Sequence, residues 1–380
     1  MPEQIPLSSP DITEVEVAAV VEVLRSRFLS LGPKGPEFEQ AICQYLGVEH
    51  AVAVSSGTAG LHCCLISLGI GPGDEVITTP FSFIASSNVI LMVGAKPVFV
   101  DIDPKSLNMD PDKVEAAITP RTKAILAVEA LGNPSGMDKL ARIAARHEIP
   151  LVEDSCEALG TTHNQRKAGT FGRCGVFGFY PNKQMTTGEG GMVVTNDRGL
   201  ADMCRSLRNQ GRDPGGSWLA HARLGYNYRL SDINSALGIV QMQRLPEIIA
   251  QRQRVAHAYI RALLDEPQII LPTIDPETSM SWFVFVVRLS EAFKAEDRDA
   301  ILQQLRRNGI GCSNYFPPIH LQPFYARGFG YGRGSYPMTE YVADRTIALP
   351  FYNKLTEMEI EVVIHHLRQA IARQAVGSVR

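Results

Sequence analysis

The chain of 380 residues is short of several things, and each shortage sets aside a class of protein. No stretch approaches the roughly 20 apolar residues that cross a bilayer as a helix. The beginning, MPEQIPLSSPD, has no basic segment followed by an apolar run, so no secretory leader is expected there. No block of like charge occurs and the net charge is −3, which gives no footing for a nucleic-acid or membrane surface. The seven cysteines (Cys43, Cys63, Cys64, Cys156, Cys174, Cys204, Cys312) are odd in number and lack paired metal spacing. They predict reduced thiols without a disulfide framework, and no metal site. Internal repeats and low-complexity segments are absent as well. The expectation is a soluble cytoplasmic protein.

What is present is globular composition, with 45% apolar and 20% charged residues over a length that suits a large domain and a smaller one. Asp11 is placed to cap a helix running to about Arg27, which the prolines and glycines of FLSLGPKGPEF then break. A second helix is expected from about Glu37 to Leu46, and AVAVSS reads as a buried strand ending at Ser55. SSGTAGLHCCLISLGI then passes from a strand end through Gly57 into an apolar helix. The backbone N–H groups of Thr58 and Ala59, with the Ser56 and Thr58 hydroxyls, suit a phosphate at a helix start. An ordinary capped helix has the same signature. Neither GxGxxG nor GxxxxGK[ST] occurs at this turn, so dinucleotide and nucleoside triphosphate sites lose their best support.

From GPGDEVITTPFSF onward the chain alternates turn, strand and helix, the pattern of an α/β fold with a doubly wound parallel sheet. Asp154 ends the very apolar strand 149-IPLVEDS-155, at the edge where open α/β sheets place ligands. A carboxylate buried there must be paired or serve a bound cation. Capping the next helix is its other reading. The segment 211-GRDPGGSW-218 predicts a mobile loop, and LGYNYRLSD leads into a long amphipathic helix. Near residue 250 the pattern changes to a helical connector, a strand at 282–289, a helix at 297–308 and a last helix after Thr356. The expected division is an N-terminal arm over 1–30, a large domain over 31–250 and a small α+β domain over 251–380. On the last helix His365 and His366 are adjacent and so point apart, which argues against a metal site.

The stretch 175-GVFGFYPNKQMTTGEGG-191 sets Lys183 in an apolar, aromatic run that ends in glycines. A lysine becomes a nucleophile at neutral pH when its ammonium is partly desolvated or lies near another cation. Phe177, Phe179 and Tyr180 would desolvate it, and Gly188, Gly190 and Gly191 let backbone approach a ligand closely. A surface lysine in a strand-to-loop turn is the plain alternative.

Six segments in order, SSGTAGL, PFSFIASSN, VEDSCEALG, FYPNKQMTTGEGG, LGYNYRLSD and YFPPIHLQPFY, make the chain resemble the DegT/DnrJ/EryC1/StrS family of sugar aminotransferases. The resemblance implies a fold type I enzyme that uses pyridoxal 5'-phosphate, with a mostly parallel seven-stranded sheet. It implies that Lys183 forms the Schiff base with the cofactor and then shuttles a proton, while Asp154 pairs with the pyridine nitrogen. Phe83 would stack on the ring, and the Gly57–Ala59 turn, through Thr58 and Ala59, would hold the phosphate. Glu157 would lie near the cofactor, and Asn227 would reach the phosphate of a neighbouring subunit, giving a homodimer with shared sites. Arg229, Tyr315 and His320 lie in substrate-side motifs.

Two positions depart from the family pattern. Gly178 stands where a serine usually contacts the phosphate, removing a hydroxyl contact worth about 1 kcal/mol. Glu129 stands where a histidine is frequent. The implied reaction moves nitrogen from glutamate to a keto group of a nucleotide-linked deoxysugar, with Glu157 leaning towards a 4-keto sugar. A related sugar dehydratase would carry histidine in place of Lys183, and a cofactor-binding regulator or sensor would be expected to add a DNA-binding helix pair or a basic appendage, neither of which the sequence offers.

Overall fold

The runs HAVAV, EVIT, TKAILAV, LVED, CGVFG and GMVVT are too short for stable helices and are buried along nearly their whole length, as strands covered on both faces must be. In the computed structural model, which describes residues 4–213, 215, 217 and 219–377, they join Lys96–Phe99 in one seven-stranded sheet. The strands are β1 (His50–Val54), β2 (Glu75–Thr78), β3 (Lys96–Phe99), β4 (Thr122–Val128), β5 (Leu151–Asp154), β6 (Cys174–Gly178) and β7 (Gly191–Thr195). Their order is β1-β7-β6-β5-β4-β2-β3. β7 runs antiparallel to both β1 and β6, and the remaining pairs are parallel.

Alternation sends successive side chains to two cores. Val52 of β1 packs with Leu61 and Val193 on one face, while Ala51 and Ala53 meet Phe38 and Met192 on the other. The same division separates Leu126 of β4 from Ile125 and Ala127. β1, β5 and β6 all end at one edge of the sheet. The helix Gly57–Ser67, Asp154 and the loop that carries Lys183 therefore meet there.

A second, antiparallel sheet is built from β8 (Ile269–Ile270), β9 (Phe285–Leu289) and β10 (Thr346–Leu349), with β9 in the centre. The helices Ala295–Arg307 and Glu357–Gly377 supply its core together with Val255, Tyr259 and Leu263. Those three come from the 32-residue helix Asp232–Leu263, whose earlier turns contribute Met242 and Leu245 to the core around Phe38. One continuous helix thus enters both cores. Near the start of the described chain, Ile5 bridges to Ile310 and is buried in the core of the second sheet.

Two elements differ from the sequence expectation. The first helix spans Glu14–Leu24 and is capped by Thr13, in a capping box with Glu16. Asp11 does not cap it; its carboxylate is buried against Arg244, Lys354 and Asn353. The expected strand at 282–289 begins only at Phe285, because Trp282 has φ +57° and breaks the extended run. Of the loop predicted over 211–218, Pro214, Gly216 and Trp218 lie outside the described residues. All seven cysteines are free.

Candidate active site

At the strand-end edge lies a cavity of about 700 Å³. Its floor is made by the first residues of a helix. Ser56, extended at φ −166°, caps Gly57–Ser67 by accepting a hydrogen bond from the Ala59 N–H at 3.1 Å. Gly57 and Thr58 line the cavity at the helix start, where backbone N–H groups have no intrahelical acceptor. Ala59 does not line it, and its N–H already serves the Ser56 cap.

Cys156 explains why this floor contains glycines. A Cβ at Gly57 would come within 2.5 Å of the Cys156 sulfur, and one at Gly178 would lie 3.2 Å from the same sulfur and 3.3 Å from its Cβ. The thiol occupies the room that a side chain at position 178 would need. A serine at position 178 would therefore require the Cys156 side chain to shift by a few tenths of an ångström.

Asp154 is 7% exposed and faces the cavity from the end of β5. The Ser86 hydroxyl donates to its Oδ2 at 2.6 Å and the Cys156 N–H to Oδ1 at 3.3 Å. Among the described residues no lysine or arginine forms an ion pair with it. A buried carboxylate held by two neutral donors and facing an open cavity is suited to a cation that arrives with a ligand. Phe83, 63% exposed and part of the lining, precedes the helix Ala85–Met92 that carries Ser86. PFSFIASSN thus supplies both an exposed ring and the hydroxyl that holds Asp154.

Lys183 follows β6 in a turn closed by its N–H donating to the Tyr180 carbonyl at 2.9 Å. Its side chain is 15% exposed; Nζ lies 3.3 Å from Glu157 Oε1 and 4.0 Å from the centre of the Phe283 ring. The other Glu157 oxygen accepts the Leu131 N–H at 2.9 Å. Burial pushes the Glu157 carboxyl above its ordinary range, and the Lys183 ammonium works against that rise. Tyr315 also lines the cavity, and burial raises its phenol.

The other expected residues lie elsewhere in this protomer. His320 is completely buried, bonded through Nε2 to Glu340 at 3.0 Å and packed edge-on to Tyr336. It stays outside the lining because Glu340 and the aromatic cluster hold it in the interior. Arg229 reaches Asn209 at 3.1 Å, and Asn227 is exposed in a backbone bridge to Asn209; neither lines the cavity. Among the described lining residues Lys183 is the single lysine or arginine. Residues that sequence reasoning missed are Ser86, Cys156, Asn182, Phe283, Ser313 and Asn314. Cys156 had a signal, since it stands two positions after Asp154. The others depend on distant contacts.

Behind Asp154, on the opposite face of β5, Glu153 is fully buried and accepts the Gly169 and Gly172 N–H groups. Glu129, fully buried at the end of β4, adjoins it. Burial, reinforced by the charge of Glu153, pushes Glu129 well above the carboxylate range; burial also brings Glu153 up to about 7. Native protein therefore holds protons that the unfolded chain releases. That contribution to stability is complete below the unfolded carboxyl range and is lost as pH rises through about 7 and above. The slope is about 1.4 kcal/mol per pH unit for each carboxyl over the range it controls. Melting temperature is expected to fall between pH 6 and 9, and Glu129→Gln to flatten that fall. Equal slopes in the two proteins would refute the assignment.

A helix start, a buried carboxylate without a cationic partner, an exposed ring and a lysine line one cavity, and this set of residues fits pyridoxal 5'-phosphate. The DegT/DnrJ/EryC1/StrS aminotransferase family pattern matches residues 10–368. The Bacillus subtilis spore coat polysaccharide biosynthesis protein SpsC is 37% identical over 377 residues, which cover 97% of this chain and 97% of that protein. Helicobacter pylori PseC, an aminotransferase involved in the biosynthesis of pseudoaminic acid, superimposes with a TM-score of 0.92 at 29% identity, covering 98% of this chain and 100% of that one. S. venezuelae DesV, solved in complex with a ketimine intermediate, gives 0.89 at 35% identity, covering 96% and 98%. The chain belongs to the DegT/DnrJ/EryC1/StrS aminotransferase family. It is a pyridoxal phosphate-dependent sugar aminotransferase.

Proposed function

We propose that this enzyme transfers an amino group from glutamate to the keto group of a nucleotide-linked deoxysugar, a 4-keto-6-deoxyhexose, in making an amino sugar of a surface polysaccharide or secondary metabolite. The observation that carries this reading is the convergence of Lys183, Asp154 and the Gly57–Thr58 helix start on a cavity roomy enough for more than the cofactor. Bound pyridoxal phosphate supplies an electron-withdrawing ring that stabilises negative charge on the adjoining carbon. The protein supplies the rest. The Gly57 and Thr58 N–H groups hold the phosphate with help from the helix dipole. Asp154, fixed by Ser86, would hold the ring nitrogen in its charged form, and Phe83 would supply an aromatic surface for the ring. Lys183 Nζ would hold the cofactor and would carry the proton to and from the substrate carbon. Glu157, with Oε1 3.3 Å from that nitrogen, would orient it.

A second copy of the chain completes the site in this reading. Glutamate and a nucleotide diphosphate bring several negative charges, yet the described lining residues include one lysine and no arginine. Asn227 and Arg229 stand outside this cavity, on a segment that a partner's cavity would meet in this reading, and exposed Phe28, Leu29, Leu31 and Leu224 give apolar surface for a homodimer to cover. None of the described helices is long and apolar enough to cross a membrane.

The test is a panel of GDP-, UDP- and dTDP-linked 3-keto and 4-keto sugars, with release of 2-oxoglutarate from glutamate as the readout. Turnover is expected with a 4-keto sugar. Turnover confined to 3-keto sugars, or absent with every member, contradicts the proposal.

A further inference from the structure

Trp282 adopts φ +57°, a left-handed conformation that bulky L residues rarely hold. A buried arginine secures it. Arg252, in the helix Asp232–Leu263, donates from Nε to the Trp282 carbonyl at 2.6 Å and from Nη2 to the Phe283 carbonyl at 2.7 Å. Its Nη1 donates to Asn353 Oδ1 at 2.9 Å. All its neutral partners accept well, but burial still lowers the guanidinium to about 9. A strained backbone and a buried cation are both unfavourable, and such features persist where the surroundings enforce them for a purpose.

The consequence of the turn is the direction of Phe283. Its ring leaves the line of β9, backs onto Tyr315 with centroids 6.3 Å apart, and presents a face to Lys183 at 4.0 Å. Glu157 takes the same ammonium from another side at 3.3 Å. Lys183 is thereby held between a carboxylate and an aromatic face, each in direct contact with Nζ.

We propose that Phe283 is a positioning residue whose ring is the resting platform of Lys183 whenever that nitrogen is not bonded to the cofactor, and that Arg252 braces the platform. Amino transfer requires the lysine to leave the cofactor and return to it, so the inference rests on the function proposed above. A lysine stem is free to sample many rotamers; the ring and Glu157 keep its nitrogen near one place.

The experiment uses cofactor-free protein and trace acetic anhydride, with acetylation of Lys183 read by peptide mass spectrometry against exposed Lys123. Phe283→Leu keeps an apolar side chain but has no aromatic face, and Phe283→Tyr keeps the face. Lys183 labelling is expected to rise about fivefold in the leucine variant, equivalent to about 1 kcal/mol, and to stay within about twofold of wild type in the tyrosine variant. Arg252→Lys, which keeps the charge without the fork, is expected to raise labelling in the same direction. Melting curves confirm that each variant is folded. Unchanged labelling in Phe283→Leu, or an equal rise in both Phe283 variants, overturns the proposal. Borohydride trapping of cofactor on wild-type Lys183 tests the functional reading separately, so trapping without the labelling difference defeats the platform alone.

Discussion

Lys183→Ala is expected to abolish amino transfer and to give protein without the yellow of lysine-bound cofactor, while its melting temperature changes little. The side chain is only 15% exposed, but its polar contact is with Glu157 and its apolar one with Phe283, both at the cavity wall. Alanine removes the nucleophile and the proton carrier together. No other lysine lines the cavity among the described residues, so a substitute within the protomer is not at hand. Glu157 is left buried without its cation; because burial already pushes it up, it is expected to take a proton rather than unfold the site. Absorbance spectra and glutamate-dependent turnover check the result, and turnover within tenfold of wild type would contradict it.

Asp154→Asn is expected to lower kcat by a factor on the order of 10² to 10³, the usual effect of removing a preorganised electrostatic partner. Asparagine preserves size and can still meet Ser86, yet it has no charge to keep a ring nitrogen protonated. The matching control is Ser86→Ala, which removes one hydrogen bond to the carboxylate at 2.6 Å and should cost about 1.5–3 kcal/mol if expressed fully. A ratio near one for Asp154→Asn in kcat, with cofactor still bound, would show that the carboxylate faces something else.

The parts of the site that were legible in the sequence share a physical cause. Ser56 to Thr58, Asp154 and Lys183 each follow a buried strand, so strand ends read from apolar runs place them at one edge of a sheet. The parallel pairs of the sheet follow from the same runs and the helices between them, whereas β7 runs antiparallel to both its neighbours. What escaped was determined by contacts between distant positions. Phe283 meets Lys183 from 100 residues further along the chain, and its carbonyl accepts a hydrogen bond from Arg252, 31 residues before it. Trp282 and Phe283 look like the start of the strand, and nothing local marks the positive φ. Asp11 looks like a cap, but its partners Arg244, Lys354 and Asn353 come from far along the chain and take it inside.

His320 shows the opposite limitation. Its segment resembles a substrate-side motif, yet Glu340 and Tyr336 enclose the ring, so motif position did not decide exposure. Gly178 reads as a lost phosphate contact until Cys156 is seen in the space a side chain would take. Glu129 likewise reads as a departure from pattern; it is fully buried beside Glu153, where burial pushes its carboxyl well above the ordinary range, and it does not line the cavity.

The central claim is that Lys183 is the residue to which the cofactor bonds. Wild-type protein loaded with pyridoxal phosphate is reduced with borohydride, digested, and mapped by mass spectrometry. A single phosphopyridoxyl adduct is expected on the peptide containing Lys183, suppressed when glutamate is added before reduction. An adduct on any other lysine, or none on Lys183, would contradict it.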